Sequence, residues 1–285
     1  MPQSCLTNPG LPSWIRFAAD CESRALPLLV AGRAKWRALV GLVLLLANEH
    51  ALAVDASDYL FTPTVTQGER ELEFYGGAGS SGDHTRAESN AALGLGYGVT
   101  QHWFTELAIE YRSQSPAGTG LDAIEWENIL QIGEPGQWPV DFGLVCNVEK
   151  PYGVSSNSLQ KEASSIRFGP LLQKDIGKVE VNVNLLVKRY LQSTESSSSQ
   201  FSYQGQVKYR YSPPLELGLQ ALGRFSAGGR AWAPYSQQLL RVGPVVLGRL
   251  KLPRERSLAY NIGFLVGTTQ HSPDQTLRMQ VEYEF

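Results

Sequence analysis

The sequence predicts an all-β chain: a closed antiparallel transmembrane β-barrel of about 12 strands, with short periplasmic turns and long extracellular loops. Three observations predict it. From residue 70 to the end, apolar and polar residues alternate with period two, the signature of strands with one apolar face. The connections between these stretches alternate between tight turns and longer polar loops, which is how outer-membrane barrels are laid out. An export signal precedes the whole region.

The signal begins with Arg33, Lys35 and Arg37, continues through an apolar run from Ala38 to Ala47, and ends on Ala51-Leu52-Ala53. A basic start, a short apolar core and a small-x-small end are the three parts a signal peptidase substrate needs. The competing reading is a transmembrane helix, but a run of about ten apolar residues is too short for a ~30 Å hydrocarbon core, which takes ~20. The chain therefore divides into an N-terminal extension and cleaved secretory signal (1–53), a periplasmic N-terminal segment (54–69) and the outer-membrane barrel (70–285). Residues 1–32 do not fit the signal and are explained by a translation start placed too early, with Val30 a plausible initiator. The Asp before Cys21 argues against lipid attachment there. After cleavage Cys146 is the one cysteine left, which excludes an intramolecular disulfide framework and a cysteine zinc site.

Strands are expected at about 70–79, 88–99, 103–113, 121–132, 139–150, 163–174, 178–190, 201–211, 215–226, 238–252, 257–269 and 275–285. Most match the ~9–11 residues that a tilted membrane strand requires. The stretch from Phe201 to Tyr211 shows the pattern well. One face carries Phe201, Tyr203, Gly205, Val207, Tyr209 and Tyr211, and the other Ser202, Gln204, Gln206, Lys208 and Arg210. Tight connections fall near 100–102, 133–138, 175–177, 212–214 and 253–256, and longer Ser-, Gly- and Asn-rich ones near 80–87, 114–120, 151–162, 191–200, 227–237 and 270–274. Both termini then lie on the tight-turn side.

Alternation does not say which face points inward, since a soluble lipocalin-like barrel has the same period with its apolar face inside. The export signal favours the membrane. So do aromatics at strand ends on the apolar face (Tyr97, Tyr111, Phe201, Tyr211, Phe225, Tyr260 and Phe285), as interfacial girdles have them. The last strand sets Leu277, Met279, Val281, Tyr283 and Phe285 against Arg278, Gln280, Glu282 and Glu284. This ending, with Tyr283 and the terminal Phe285, resembles the signal that the barrel assembly machinery recognises.

The stretches FTPTVTQGERELEFYGG (61–77), RFGPLLQKDIGKVEVNVNLLVKR (167–189) and SPDQTLRMQVEYEF (272–285) resemble uncharacterised bacterial outer-membrane β-barrel proteins. That group is similar to the barrels of the phenol-degradation (MetA-like) transporter group. The resemblance covers the mature region and implies a Gram-negative outer-membrane location and the movement of small molecules.

Two motifs invite other readings. Gly77-Ala78-Gly79-Ser80-Ser81-Gly82 fits G-x-G-x-x-G, but a dinucleotide site needs a helix whose N-terminus meets the pyrophosphate, and another strand follows instead. The mature histidines are His84, His102 and His271. His84 lies near Ser80, Ser81 and Asp83, and His271 near Ser272 and Asp274, in loops that closure of the barrel would bring together. A lipid-modifying hydrolase could be assembled there, yet no G-x-S-x-G or related family motif accompanies these residues. No catalytic, cofactor or metal-binding residue is therefore expected, and no enzyme.

With the apolar face outward, the inward face becomes the candidate site. Strands one to five place Glu71, Glu73, Glu106, Glu110, Glu125, Glu127, Asp141 and Glu149 inside, opposed mainly by Arg112. Strands six to eleven place Arg167, Lys188, Lys208, Arg210, Arg224, Arg241, Arg249 and Lys251 inside, with Glu180 and Glu216 as the minority. Charges turned toward lipid would each cost about 2–4 kcal/mol near the midplane for Arg or Lys. An acidic wall facing a basic wall across water describes a porin-like channel for passive passage of small polar or amphipathic molecules. The same walls in contact describe a closed structural or interaction barrel with a salt-bridged lumen. Expected partners are outer-membrane lipid and lipopolysaccharide, the assembly machinery and a small-molecule solute. The net charge of −2 over 285 residues lacks the basic excess of a nucleic-acid binder.

Overall fold

The computed structural model describes residues 58–80, 88–114, 118–152, 164–191, 199–225, 234–270 and 272–285. Twelve strands follow one another: β1 (Arg70–Ser80), β2 (Glu88–Thr100), β3 (Trp103–Gln114), β4 (Gly118–Ile132), β5 (Asp141–Pro151), β6 (Ser165–Ile176), β7 (Val179–Tyr190), β8 (Ser199–Ser212), β9 (Leu215–Arg224), β10 (Leu239–Lys251), β11 (Ser257–Gly267) and β12 (Gln275–Glu284). Each pairs antiparallel with its sequence neighbours, and β1 pairs with β12 to close the barrel. The closing register runs from Glu71 opposite Glu284 to Ser80 opposite Gln275, and the Phe285 amide donates to the Arg70 carbonyl at 2.9 Å.

The two faces separate as the alternation requires. Leu95, Leu107, Trp126, Leu185 and Leu219 stand exposed on the outside, Leu95 at 63 % and Leu219 at 60 %. Their neighbours Gly96, Glu106, Glu127, Asn184 and Gln220, all but the glycine polar, are buried. A water-soluble barrel would reverse this order, so the outer surface is built for hydrocarbon. Cys146 belongs to the outward face, exposed and free.

The tight connections use the backbone freedom they need. Gly133, Gly136 and Gly177 adopt positive φ at their turns, and the turn between β10 and β11 places Arg254 and Glu255 at φ 65° and 59°. The longer connections expected at the other end fall largely outside the described residues.

One departure from simple alternation changes what faces inward. Glu110 pairs with Ala123 and Tyr111 with Leu121, so Asp122 is an extra residue on β4. A bulge of this kind re-aims one side chain. Asp122 turns in and accepts a bond from Arg112 at 2.7 Å.

Candidate functional site

The lumen contains part of the chain itself. Of the segment 54–69, which the sequence assigns to the periplasm, the described part from Asp58 onward runs inside the barrel. It leaves β1 at the tight-turn end. Gly68 donates to the Gly98 carbonyl at 2.8 Å, and Val65 donates its amide hydrogen to the Gln131 side chain at 2.7 Å. Two strand glycines make room for it. A Cβ on Gly98 would stand 1.9 Å from the Thr66 carbonyl oxygen, and one on Gly143 would stand 2.9 Å from Pro63 Cβ.

Higher in the lumen, Phe61 is 2 % exposed, under the Arg167 guanidinium at 5.3 Å, and its carbonyl accepts from Asn184 at 3.2 Å. Tyr59 packs against Phe61 and Tyr75, with ring centroids 4.6 and 4.5 Å away. Its hydroxyl donates to Glu127. Asp58 reaches two cations, Arg224 at 2.9 Å and Arg241. The apolar residues around Tyr59 and Phe61, among them Phe104, Ile129, Val145, Leu171 and Leu186, form a core inside the polar face of the barrel.

The inward charges expected from sequence are distributed as follows. Glu71, Glu73, Glu106, Glu110, Glu125, Glu127, Arg167 and Arg241 are all buried. Ion pairs that join the acidic and basic walls include Arg167 with Glu125 at 2.7 Å and Lys188 with Glu149 at 2.5 Å. Elsewhere the basic wall pairs with acids of its own side. Lys208 lies 3.2 Å from Glu180 and 2.9 Å from Glu216, and Arg210 pairs with Asp175 at 2.8 Å and with Glu180. Arg249 is paired at the tight-turn rim with Glu282 at 3.5 Å and with Glu284.

Two expected lining residues sit at the rim. Asp141 accepts the Gly136 amide hydrogen at 2.5 Å, so its carboxylate fastens a turn. Lys251 is exposed at the end of β10, opposite Ser257. To the expected walls, each with its minority of the other sign, the structure adds Asp58 and Asp175, which lie among the cations. Alternation does not reach Asp58, which precedes the strands, or Asp175, which closes β6, or Asp122, where a bulge breaks the period. Arg278 is also inside, 5 % exposed, donating to Gln220 at 2.8 Å.

Buried amides form a further part of the lining that a search for charges passes over. Asn147 donates to Glu125 at 2.7 Å and to Glu127 at 3.0 Å, and Asn184 donates to Gln204 at 3.0 Å. Their signal was present, since they occupy the same alternate positions as the charges. Below this level, toward the tight-turn end, is a cavity of about 830 Å³ with Glu71, Glu73, Lys208, Arg210, Arg249 and Glu282 in its wall. At its mouth burial pushes the Glu69 carboxyl above its ordinary range, opposed by Arg249 and a hydrogen bond from Thr66.

Of the histidines, His84 and His271 lie outside the described residues. His102 is exposed in a tight turn, 3.7 Å from Glu134.

No protein-family model matches the sequence, and no curated protein matches it. Among solved structures, the chain is similar to the NanC porin (11% identity, 76% of this chain and 98% of that one, TM-score 0.47). It is similar also to the translocator domain of the autotransporter NalP from Neisseria meningitidis (12% identity, 76% and 86%, TM-score 0.38). A third is the outer membrane phospholipase A from Escherichia coli (12% identity, 80% and 93%, TM-score 0.38). Identities this low concern the fold alone.

Proposed function

We propose that the chain is an outer-membrane channel for small polar or amphipathic molecules, exported through a cleaved signal, whose lumen is occluded by its own N-terminal segment. The observation that carries this reading is the seating of residues 58–66. A segment wedged between inward side chains, latched at Asp58 and bordering the cavity of about 830 Å³ below, is a stopper that belongs to the chain rather than to the wall. Twelve strands enclose more space than the eight whose side chains fill a small barrel, and less than the sixteen or more of an open porin. Removal of the segment would leave a passage lined by amides and charges, suited to solutes that exchange water for hydrogen bonds.

Conductance of the purified protein in planar bilayers tests this. The full mature chain is expected to conduct rarely, and the chain lacking residues 58–66 steadily. Phe61→Ala, a milder change, is expected to raise the open fraction. Should neither variant conduct, the barrel is a closed structural or interaction element. That second reading has its own support in the near-complete burial of Asn184, Gln220 and Thr276, at 0–1 % exposure. Phospholipid hydrolysis lost on His84→Ala or His271→Ala would instead favour a lipid-modifying enzyme.

A further inference from the structure

We propose that the barrel holds one divalent cation, calcium, between Glu71 and Glu73 of β1 and Glu106 of β3. One carboxylate oxygen from each lies within 4.8 Å of the others. All three residues are buried, at 8, 5 and 2 % exposure. Among the described residues neither oxygen of Glu106 meets an N–H or hydroxyl donor, its polar neighbour being the Glu73 carboxyl, and the Tyr75 hydroxyl, the next inward group along β1, has no partner. A buried carboxylate with both oxygens unsatisfied is costly unless a positive charge meets it.

The neighbouring strand is shaped to receive these groups. A Cβ on Gly94 would stand 2.3 Å from Glu106 Oε1, and one on Gly96 would stand 2.8 Å from Glu71 Oε1. Both carboxylates therefore lie on bare backbone of β2, in space that any side chain at 94 or 96 would fill. Arg167 is committed to Glu125 and Arg249 to Glu282 and Glu284, while Arg278, which donates to the Gln220 amide, offsets only part of the charge of Glu73.

An all-oxygen, three-carboxylate site selects a hard cation. Calcium accepts about six to eight oxygens in flexible geometry, whereas magnesium demands a near-ideal octahedron and gives up its waters reluctantly. A buried three-carboxylate site offers magnesium neither its waters nor a regular octahedron, and so favours calcium. Glu71 and Glu73 line the cavity at the tight-turn end, which supplies an entry path. Because Glu73 also accepts from Gln280 of β12 at 2.5 Å, the ion would tie β3 to the closing seam of the barrel. None of this depends on whether the barrel conducts.

The test uses the full mature chain folded in detergent and stripped with chelator. Calorimetric titration with calcium is expected to give one saturating site, with magnesium at least tenfold weaker. Glu106→Gln, and Gly94→Ala, which drives a methyl group into the Glu106 carboxylate, are each expected to weaken calcium at least tenfold. Terbium in place of calcium is expected to show tyrosine-sensitised emission that falls by half or more on Tyr75→Phe. That substitution removes a hydroxyl with no hydrogen-bond partner and so keeps the fold, which preserves the test should the other variants fail to assemble. Absence of saturable calcium binding overturns the proposal. So does binding that survives Glu106→Gln and Gly94→Ala unchanged, or terbium emission indifferent to Tyr75→Phe, since the ion would then sit on other carboxylates.

Discussion

On the β6–β10 side of the lumen, cations stand beside carboxylates: Lys208 and Arg210 share Glu180 and Glu216, and Arg224 and Arg241 share Asp58. On the β1–β4 side the carboxylates of Glu71, Glu73 and Glu106 face one another. The first region is complete in itself, and its charges act as mutual fasteners. The second is complete only with a proton or a cation brought from outside. The difference shows that burial alone does not set the role of a lumen charge. What decides it is whether the chain supplies the counter-charge from a neighbouring strand, from its own N-terminal segment, or not at all.

The largest effect is expected where a pair bridges the two regions. Arg167→Met removes the cation of a pair in which both side chains are buried and leaves Glu125 without it. Breaking such a pair costs about 3–5 kcal/mol, and the guanidinium over Phe61 goes as well. Urea unfolding of the barrel in lipid vesicles should record that loss. A change below about 1 kcal/mol would mean that water reaches Glu125, and that the regions are less separate than the geometry implies.

Phe61→Ala should act on the stopper rather than on the wall. Replacing a packed phenylalanine by alanine costs about 3–5 kcal/mol in a well-formed core, and the lower end is expected here because one side of the segment borders a cavity. Hydrogen exchange should locate the effect. Amides of the N-terminal segment, Val65 above all, should lose about a hundredfold of protection or more, while strand amides keep theirs. Equal loss in β5 and β7 would make the segment an integral part of the barrel core.

Glu106→Gln has the opposite sign from Arg167→Met. In chelator it replaces a buried carboxyl that meets no N–H or hydroxyl donor by a neutral amide that can donate to Glu73, and it is expected to stabilise by about 1–3 kcal/mol, the desolvation cost relieved. With calcium present the gain should shrink or reverse, because the wild type alone then gains binding energy. Thermal unfolding with and without calcium reads both arms.

Much of this architecture was legible in the sequence, for a definite reason. Period two is enforced at every strand by the contrast between lipid and lumen, so all twelve strands, the closing pair and the inward positions of Glu106, Glu127, Arg167 and Arg241 follow from alternation. Residues 58–66 escaped the reading because alternation is silent about a segment that is not a strand. Pro63 and the threonines of TPTVT look like an ordinary linker, and only the positions of Gly98 and Gly143 reveal what lies on them. The acidic cluster escaped for another reason. Glu71, Glu73 and Glu106 were recognised as inward, but whether carboxylates of different strands meet depends on stagger, which composition does not carry.

The smallest effect is expected at the rim, where the comparison between paired and unpaired regions should fade. Asp175 and Arg210 make two contacts, at 2.8 and 3.1 Å, yet their side chains are 46 and 35 % exposed. An ion pair so placed contributes about 0.2–1 kcal/mol, and Arg210 retains Glu180 if Asp175 is lost. Asp175→Asn should therefore cost less than 1 kcal/mol in low salt, and the difference should fall toward zero near 1 M salt, where screening acts within ~3 Å. Arg167→Met should keep most of its cost at the same salt, because buried charges are screened much less. If both substitutions lost their effect together, the lumen would be filled with mobile ions to its middle, and the N-terminal segment would not be the seal that its contacts describe.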